Sequence, residues 1–131
     1  MTAFEAPGDP LTPGQTPSLD AQTPFDVAIR RDRDRMIVVP EGELDLASVD
    51  RLGASIHDLV EAGYEAIVLD LRRLTFMDST GLRLILAECR RPDVAVRVID
   101  GTEVVARLFD ICRVRESMSF MDPHELRPAP G

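Results

Sequence analysis

Lysine is absent from this sequence; all 15 of its basic residues are arginine. That bias fits a GC-rich coding sequence and says nothing about the host. Positive charge is also in the minority: 23 acids leave a formal net charge of −8. A chain of that sign repels phosphate backbones at long range, which disfavours general nucleic-acid binding. Only two cysteines occur, Cys89 and Cys112, too few for a disulfide framework. Both fall in helix-like patterns and read as small buried apolar groups. No apolar run approaches the roughly 18 residues that cross a bilayer. The N-terminus carries Glu5 and Asp9 and has no apolar stretch, unlike a secretory signal peptide. These absences together predict a cytoplasmic protein without membrane insertion. Its 131 residues fit one ordinary domain, and 44% hydrophobic with 29% charged residues is a globular composition.

The ends differ from the middle. Residues 1–24 hold Pro7, Pro10, Pro13, Pro17 and Pro24, half of the ten prolines, spaced by Thr, Gly, Ser and Gln. Few large apolar groups are there to offset the entropy of ordering, so this stretch reads as a disordered tail. Residues 122–131 carry Pro123, Pro128 and Pro130 and read as a second flexible tail. The expected domain is residues 25–121.

Within it, Phe25, Val27 and Ile29 alternate with polar or small residues, as in a half-buried strand. Met36–Val39 is a second strand, and the charged link between them suits a hairpin. Alternating signs from Arg30 to Arg35 read as a solvated turn rather than a nucleic-acid patch. Pro40 argues for an edge or a bulge. Val49, Leu52, Ile56, Leu59 and Val60 repeat at helical period behind Ser48 as N-cap, and Gly63 ends that helix. Residues 66–69 form a continuous apolar run, a central buried strand. A second helix starts near Ser79, with Leu82, Ile85, Leu86 and Cys89 on one face, and stops before Pro92. Val94, Val96 and Val98 give another strand. Gly101 and Thr102 open a third helix, and Met118–Phe120 offers a last short strand. The order β-β-α-β-α-β-α-(β) predicts an α/β fold, a mixed four- to five-stranded sheet with helices packed on it.

The segment from Phe76 to Leu82, Phe-Met-Asp-Ser-Thr-Gly-Leu, carries the most specific message. Its chemistry is that of a helix N-terminus. Asp78 can accept from the free N–H groups of the first turn. Ser79 and Thr80 then project hydroxyls from the positive end of the helix dipole, where an attached phosphate meets favourable partial charge. Gly81 leaves the first turn bare, open to close approach by a partner or a nucleotide. Capping alone and a functional hydroxyl both fit this spacing.

Three stretches together resemble a known family. They are Gly42-Glu43-Leu44-Asp45, the run Ile67–Leu71 leading into Leu74–Leu82, and Arg107-Leu108-Phe109-Asp110. The chain is similar in these to the STAS domain of anti-sigma factor antagonists, over roughly residues 25–121. The resemblance implies a phosphorylation switch. The family's phosphoacceptor falls on Ser79, with Thr80 the competing hydroxyl. Asp78 matches the adjacent acid and Asp45 the acid of the upstream loop. The implied partners are an anti-sigma factor that is also a serine kinase, bound only by the unphosphorylated form, and a PP2C-type phosphatase that restores that form. No cofactor is implied. Two further readings stay open. One is a STAS structural subunit of a stressosome-like or lipid-transport assembly; the other is a nucleotide-sensing STAS domain.

Other residues have ordinary readings beside functional ones. Asp45 can simply assist capping near Ser48. Arg83 lies on the exposed side of the second helix beside Ser79, either solvated or facing acids of a partner. Leu84 sits off the buried face, an ordinary exposed leucine or a docking point. His57 has no second ligand at metal spacing. An enzyme is not expected: there is no nucleophile elbow or phosphate loop, and Ser79 reads as a substrate rather than a catalyst. Two departures from the family pattern stand out. Pro92-Asp93 shortens the link after the second helix, and Gly101-Thr102 replaces the proline before the third.

Overall fold

The computed structural model describes residues 24–128, so the expectation of a disordered tail falls almost wholly on residues outside that range. The hairpin forms as expected: β1 (Asp26–Asp32) pairs antiparallel with β2 (Arg35–Leu44) through a turn in which Arg33 has φ 62°. Then come α1 (Val49–Glu61), β3 (Ala66–Asp70), β4 (Leu74–Met77), α2 (Ser79–Cys89), β5 (Ala95–Ile99) and α3 (Glu103–Cys112). The sheet order is β1-β2-β3-β5, with β4 paired to β2; every pairing but the first is parallel.

β2 outruns the short strand expected at Met36–Val39 because two parallel partners share its length. β3 pairs with residues Met36–Val38, and β4 pairs with Gly42–Leu44. Pro40 lies between those two stretches, and the pairing to β4 slips at Gly42/Glu43. The residue without an N–H thus sits beside a bulge, as its chemistry requires. β4 was not foreseen. It is four residues long, with Thr75 and Phe76 exposed, so its pattern lacks a clean alternation.

Helical faces follow the sequence periods. Val49, Leu52, Ile56 and Leu59 are the buried face of α1, and Leu82 and Ile85 anchor α2. Each fully buried Leu or Ile of this kind contributes about 1.5–3 kcal/mol. All three helices bury their apolar residues in one cluster with Val38, Leu69 and Val98 of the sheet. Ile37, Val68, Ile99 and Met121 form a second, smaller cluster. Neighbours in a strand point to opposite faces, so Val68 and its flanking Ile67 and Leu69 divide between the two clusters. β3 is buried on both faces, as its unbroken apolar run implied.

Several expectations are corrected. The final strand at Met118–Phe120 reduces to a single bridge between Val98 and Phe120. Ile29, expected on the buried face of β1, is 43% exposed. Cys112 is exposed; Cys89 is half-buried, and burial and the neighbouring Glu88 push its thiol up to about 11. Ser48 is the N-cap residue, but its hydroxyl donates to the Glu43 carbonyl (2.8 Å) instead of capping α1. Likewise the Thr102 hydroxyl reaches the Leu74 carbonyl at 3.4 Å, and α3 forms without a side-chain cap.

The largest correction concerns residues 122–131, read as a flexible tail, of which 129–131 lie outside the described residues. Asp122 opens a one-turn helix at Pro123–Glu125 with a full capping box. Leu126 packs on the second cluster, and Arg35 donates to the Glu125 carbonyl at 2.7 Å. Asp32, whose side chain is 1% exposed, holds Arg35 at 2.9 Å and accepts from the Arg127 N–H at 3.4 Å. Pro123, which looked like a breaker, instead starts a capped turn that covers the sheet face left bare by the helices.

Deleting residues 122–131 is expected to lower unfolding stability by about 1–3 kcal/mol, the scale of one apolar side chain re-exposed. An unchanged urea midpoint would refute the covering role. Burial raises the Asp32 pKa, but the Arg35 guanidinium and the Arg127 N–H outweigh it and hold the carboxyl below its ordinary value. The stability this group contributes is therefore fully present above about pH 4 and is lost as pH falls through the lowered folded value. Asp32→Asn should flatten that acid limb in a pH series of thermal melts.

Candidate functional site

Leu44 and Met77 are paired residues at the ends of β2 and β4. The acids that follow them, Asp45 and Asp78, are thus brought to one end of the sheet. The Asp78 N–H donates to the Leu44 carbonyl at 3.2 Å, joining the two chain segments directly. Asp78 is then the N-cap of α2, with an extended backbone, and its Oδ1 accepts from the Gly81 N–H at 3.0 Å. The capping expected from the motif is present in full.

Ser79 is the first residue of α2 and is exposed; Thr80 behind it is half-buried. Among the described residues the Ser79 hydroxyl makes no hydrogen bond, so it is presented to solvent at the positive end of the helix. Arg83 is exposed one turn further on, on the same side of the helix as Ser79.

Gly81 does something other than expected. It is buried, not open. A Cβ built there would lie 2.8 Å from the Leu44 carbonyl oxygen and 2.8 Å from the Met77 Cγ. Its missing side chain lets the first turn of α2 press against the β2–β4 junction. Leu84 is also corrected: it is half-buried in the main cluster, with its Cδ1 against α1 at Gly53. Asp45 is half-buried and builds its own loop. Its Oδ1 accepts from the Ala47 N–H at 3.0 Å, and its N–H donates to the Ser48 hydroxyl at 3.0 Å. Asp45 therefore builds its own turn, and the bond from the Asp78 N–H to the preceding Leu44 carbonyl sets that turn beside the α2 N-terminus.

Two apolar residues at this end were not singled out from sequence. Leu46 is 76% exposed and Phe76, opposite Glu43, is 42% exposed. Leu46 had a readable signal, a leucine inside a tight polar turn. Phe76 had none, because β4 was not recognised as a strand. The end of the sheet thus offers a hydroxyl, two acids, an arginine and two exposed apolar side chains.

The family model of the STAS domain matches residues 26–126. The chain belongs to the STAS domain family. Solved structures with the same architecture include an anti-sigma factor antagonist from Mycobacterium paratuberculosis. It is 20% identical, with a TM-score of 0.67, covering 78% of this chain and 90% of that one. The unphosphorylated anti-sigma factor antagonist SpoIIAA is 24% identical, with a TM-score of 0.62 over 78% of this chain and 91% of its own. SpoIIAA of Bacillus in its phosphorylated form is 23% identical, with a TM-score of 0.57 over 78% and 95%. At these identities the likeness is one of fold. The mixed five-stranded sheet with three helices is the STAS architecture, and the third-helix signature of this STAS domain is a core element: Phe109 is fully buried, edge-on to Phe120 at 6.2 Å. No helix among the described residues is long and apolar enough to cross a membrane.

The two helical glycines separate tight contact from open space. Gly81→Ala should destabilise this STAS domain by about 1–3 kcal/mol, since the clash involves backbone. Gly53→Ala, whose Cβ would sit 3.5 Å from Leu84, should be neutral or stabilising by about 0.5–1 kcal/mol. Denaturant unfolding of both variants checks this, and equal effects would contradict the packing described.

Proposed function

We propose that this protein is an anti-sigma factor antagonist governed by phosphorylation of Ser79. The observation that carries the proposal is an exposed serine at the first position of α2, without a partner among the described residues, in a chain of the STAS family. In this reading the unphosphorylated form binds an anti-sigma factor that is also a serine kinase, and a sigma factor is released. A PP2C-type phosphatase reverses the modification. The similarity of the fold to SpoIIAA in both its unphosphorylated and phosphorylated forms supports this reading.

The physics of the site suits such a switch. A phosphoserine adds about −1.5 to −2 charge at pH 7. At the first turn of α2 it meets the dipole's positive end, so the fold tolerates it. It also stands beside Asp78 and Asp45 and within reach of the exposed Leu46 and Phe76 end. A bulky anion there opposes docking by occlusion and like-charge contact, and a loss of only ~1.4 kcal/mol is already tenfold in affinity. Partner contacts fall to Asp45, Asp78, Thr80 and Arg83; Gly81 and Leu84 act by shaping α2 from behind. The mechanism requires no refolding of α2.

The test is intact mass after incubation with ATP and the histidine-kinase-like anti-sigma candidates of the same genome. One added phosphate, lost in Ser79→Ala, is expected, and the phosphorylated protein should bind that kinase at least about tenfold more weakly. Labelling that survives Ser79→Ala and disappears only with Thr80→Ala would move the site to Thr80. Stable binding to a candidate without any phosphate gain would favour the structural-subunit reading.

A further inference from the structure

The correction at the C-terminus creates a feature that the switch does not use. Between residues 123–128 and the sheet lies an open cleft of about 590 Å³. Four arginines converge on it from separate parts of the fold: Arg30 of β1, Arg72 and Arg73 from the β3–β4 link, and Arg127 of the C-terminal segment. A single carboxylate, Asp70, lines it with them. This is a local excess of positive charge in a protein whose net charge is −8.

Two of the four arginines have an acid partner among the described residues, and only one of those pairs is close. Asp70 is committed to Arg72, gripping its Nε at 2.9 Å and Nη2 at 2.8 Å. Arg73 reaches Glu41 only at 3.8 Å, with both side chains more than half exposed. Among the described residues no carboxylate lies within ion-pair distance of Arg30 or Arg127. Burial raises the Asp70 pKa, yet Arg72 and Arg30 together hold the carboxyl below its ordinary value, so it stays ionised and keeps Arg72 oriented. Mutually repelling guanidiniums, one of them held by Asp70, form a preset anion cradle; guanidinium is the side chain best shaped for bidentate contact with phosphate oxygens. The walls also contain apolar groups, Leu126 among them. The volume lies within the range of small-molecule sites, about 300–1,000 Å³.

We propose that this cleft binds a small phosphorylated molecule, its phosphate or pyrophosphate held by Arg30, Arg72, Arg73 and Arg127 and its uncharged body against the wall at Leu126. The cleft is separate from the Ser79 site. Arg73 precedes β4 and Ser79 follows it, so the two lie at opposite ends of that strand. The proposal does not depend on the antagonist reading.

Isothermal titration of the full chain with inorganic pyrophosphate and with ADP, in about 0.15 M salt to screen loose surface attraction, tests it. Saturable one-to-one binding of at least one probe is expected. Arg30→Gln with Arg127→Gln should weaken it at least about tenfold, with the thermal midpoint unchanged because neither side chain carries an ion pair among the described residues. Arg73→Gln should weaken it in the same direction, and Ser79→Ala should leave it intact. No saturable binding of either probe overturns the proposal, as does binding that the arginine variants leave unchanged. Binding lost in Ser79→Ala also overturns it, by moving the anion to the start of α2.

Discussion

The single hydrogen bond from the Asp78 N–H to the Leu44 carbonyl ties together everything at the candidate site. It exists because β2 is long enough to pair first with β3 and then with β4, so the chain leaving β4 emerges beside the chain leaving β2. Gly81 then lets the first turn of α2 settle against Leu44, where any Cβ would collide. Strand pairing, helix start and loop acid are therefore one mechanical unit. The position of Ser79 is set by backbone contacts on both sides of it, and a rigidly placed hydroxyl is what a kinase or a docking partner can read.

Much of this was legible from residue patterns, and the reasons are physical. The β3 run was readable because burial on both faces demands unbroken apolar residues. The start of α2 was readable because an aspartate before Ser-Thr-Gly has one obvious use for its carboxylate. β4 was not readable: four residues with an exposed centre carry no period. Gly81 was read in the wrong direction. A glycine at a helix start signals close approach, but sequence does not say whether the approaching group is a ligand or the protein's own Leu44. Cys112 shows the same limit, since a helical phase places a residue on a face without showing whether anything covers it.

The C-terminal segment misled for a different reason. Its prolines have the composition of a linker, and composition says nothing about position. Three-helix packing on one sheet face leaves the opposite face with Ile37, Val68 and Ile99 in need of cover. Met121 and Leu126 supply it, and Pro123 is the favoured first residue of the turn between them. Asp32, sealed at the end of β1, anchors that cover through Arg35 and the Arg127 amide. The alternating charges of the hairpin, which look like a solvated turn, thus include one buried acid with a structural task.

The two faces divide the labour in charge as well as in packing. At the α2 end, Asp45 and Asp78 stand beside the exposed Ser79 hydroxyl, so the phosphorylation proposed there would add negative charge to an already acidic spot. On the opposite sheet face, four arginines gather around a single lining carboxylate, Asp70. The first spot is acidic and the second is rich in arginine. Both are built on the same link, residues 71–77, whose ends supply Arg72 and Arg73 on one side and Asp78 on the other. A fold that must hold Asp78 against Leu44 also holds Arg73 next to Gly42, whose N–H donates to the Arg73 carbonyl at 3.3 Å. The constraint that positions Ser79 therefore positions Arg73 as well, and neither could be displaced along β2 without moving the other.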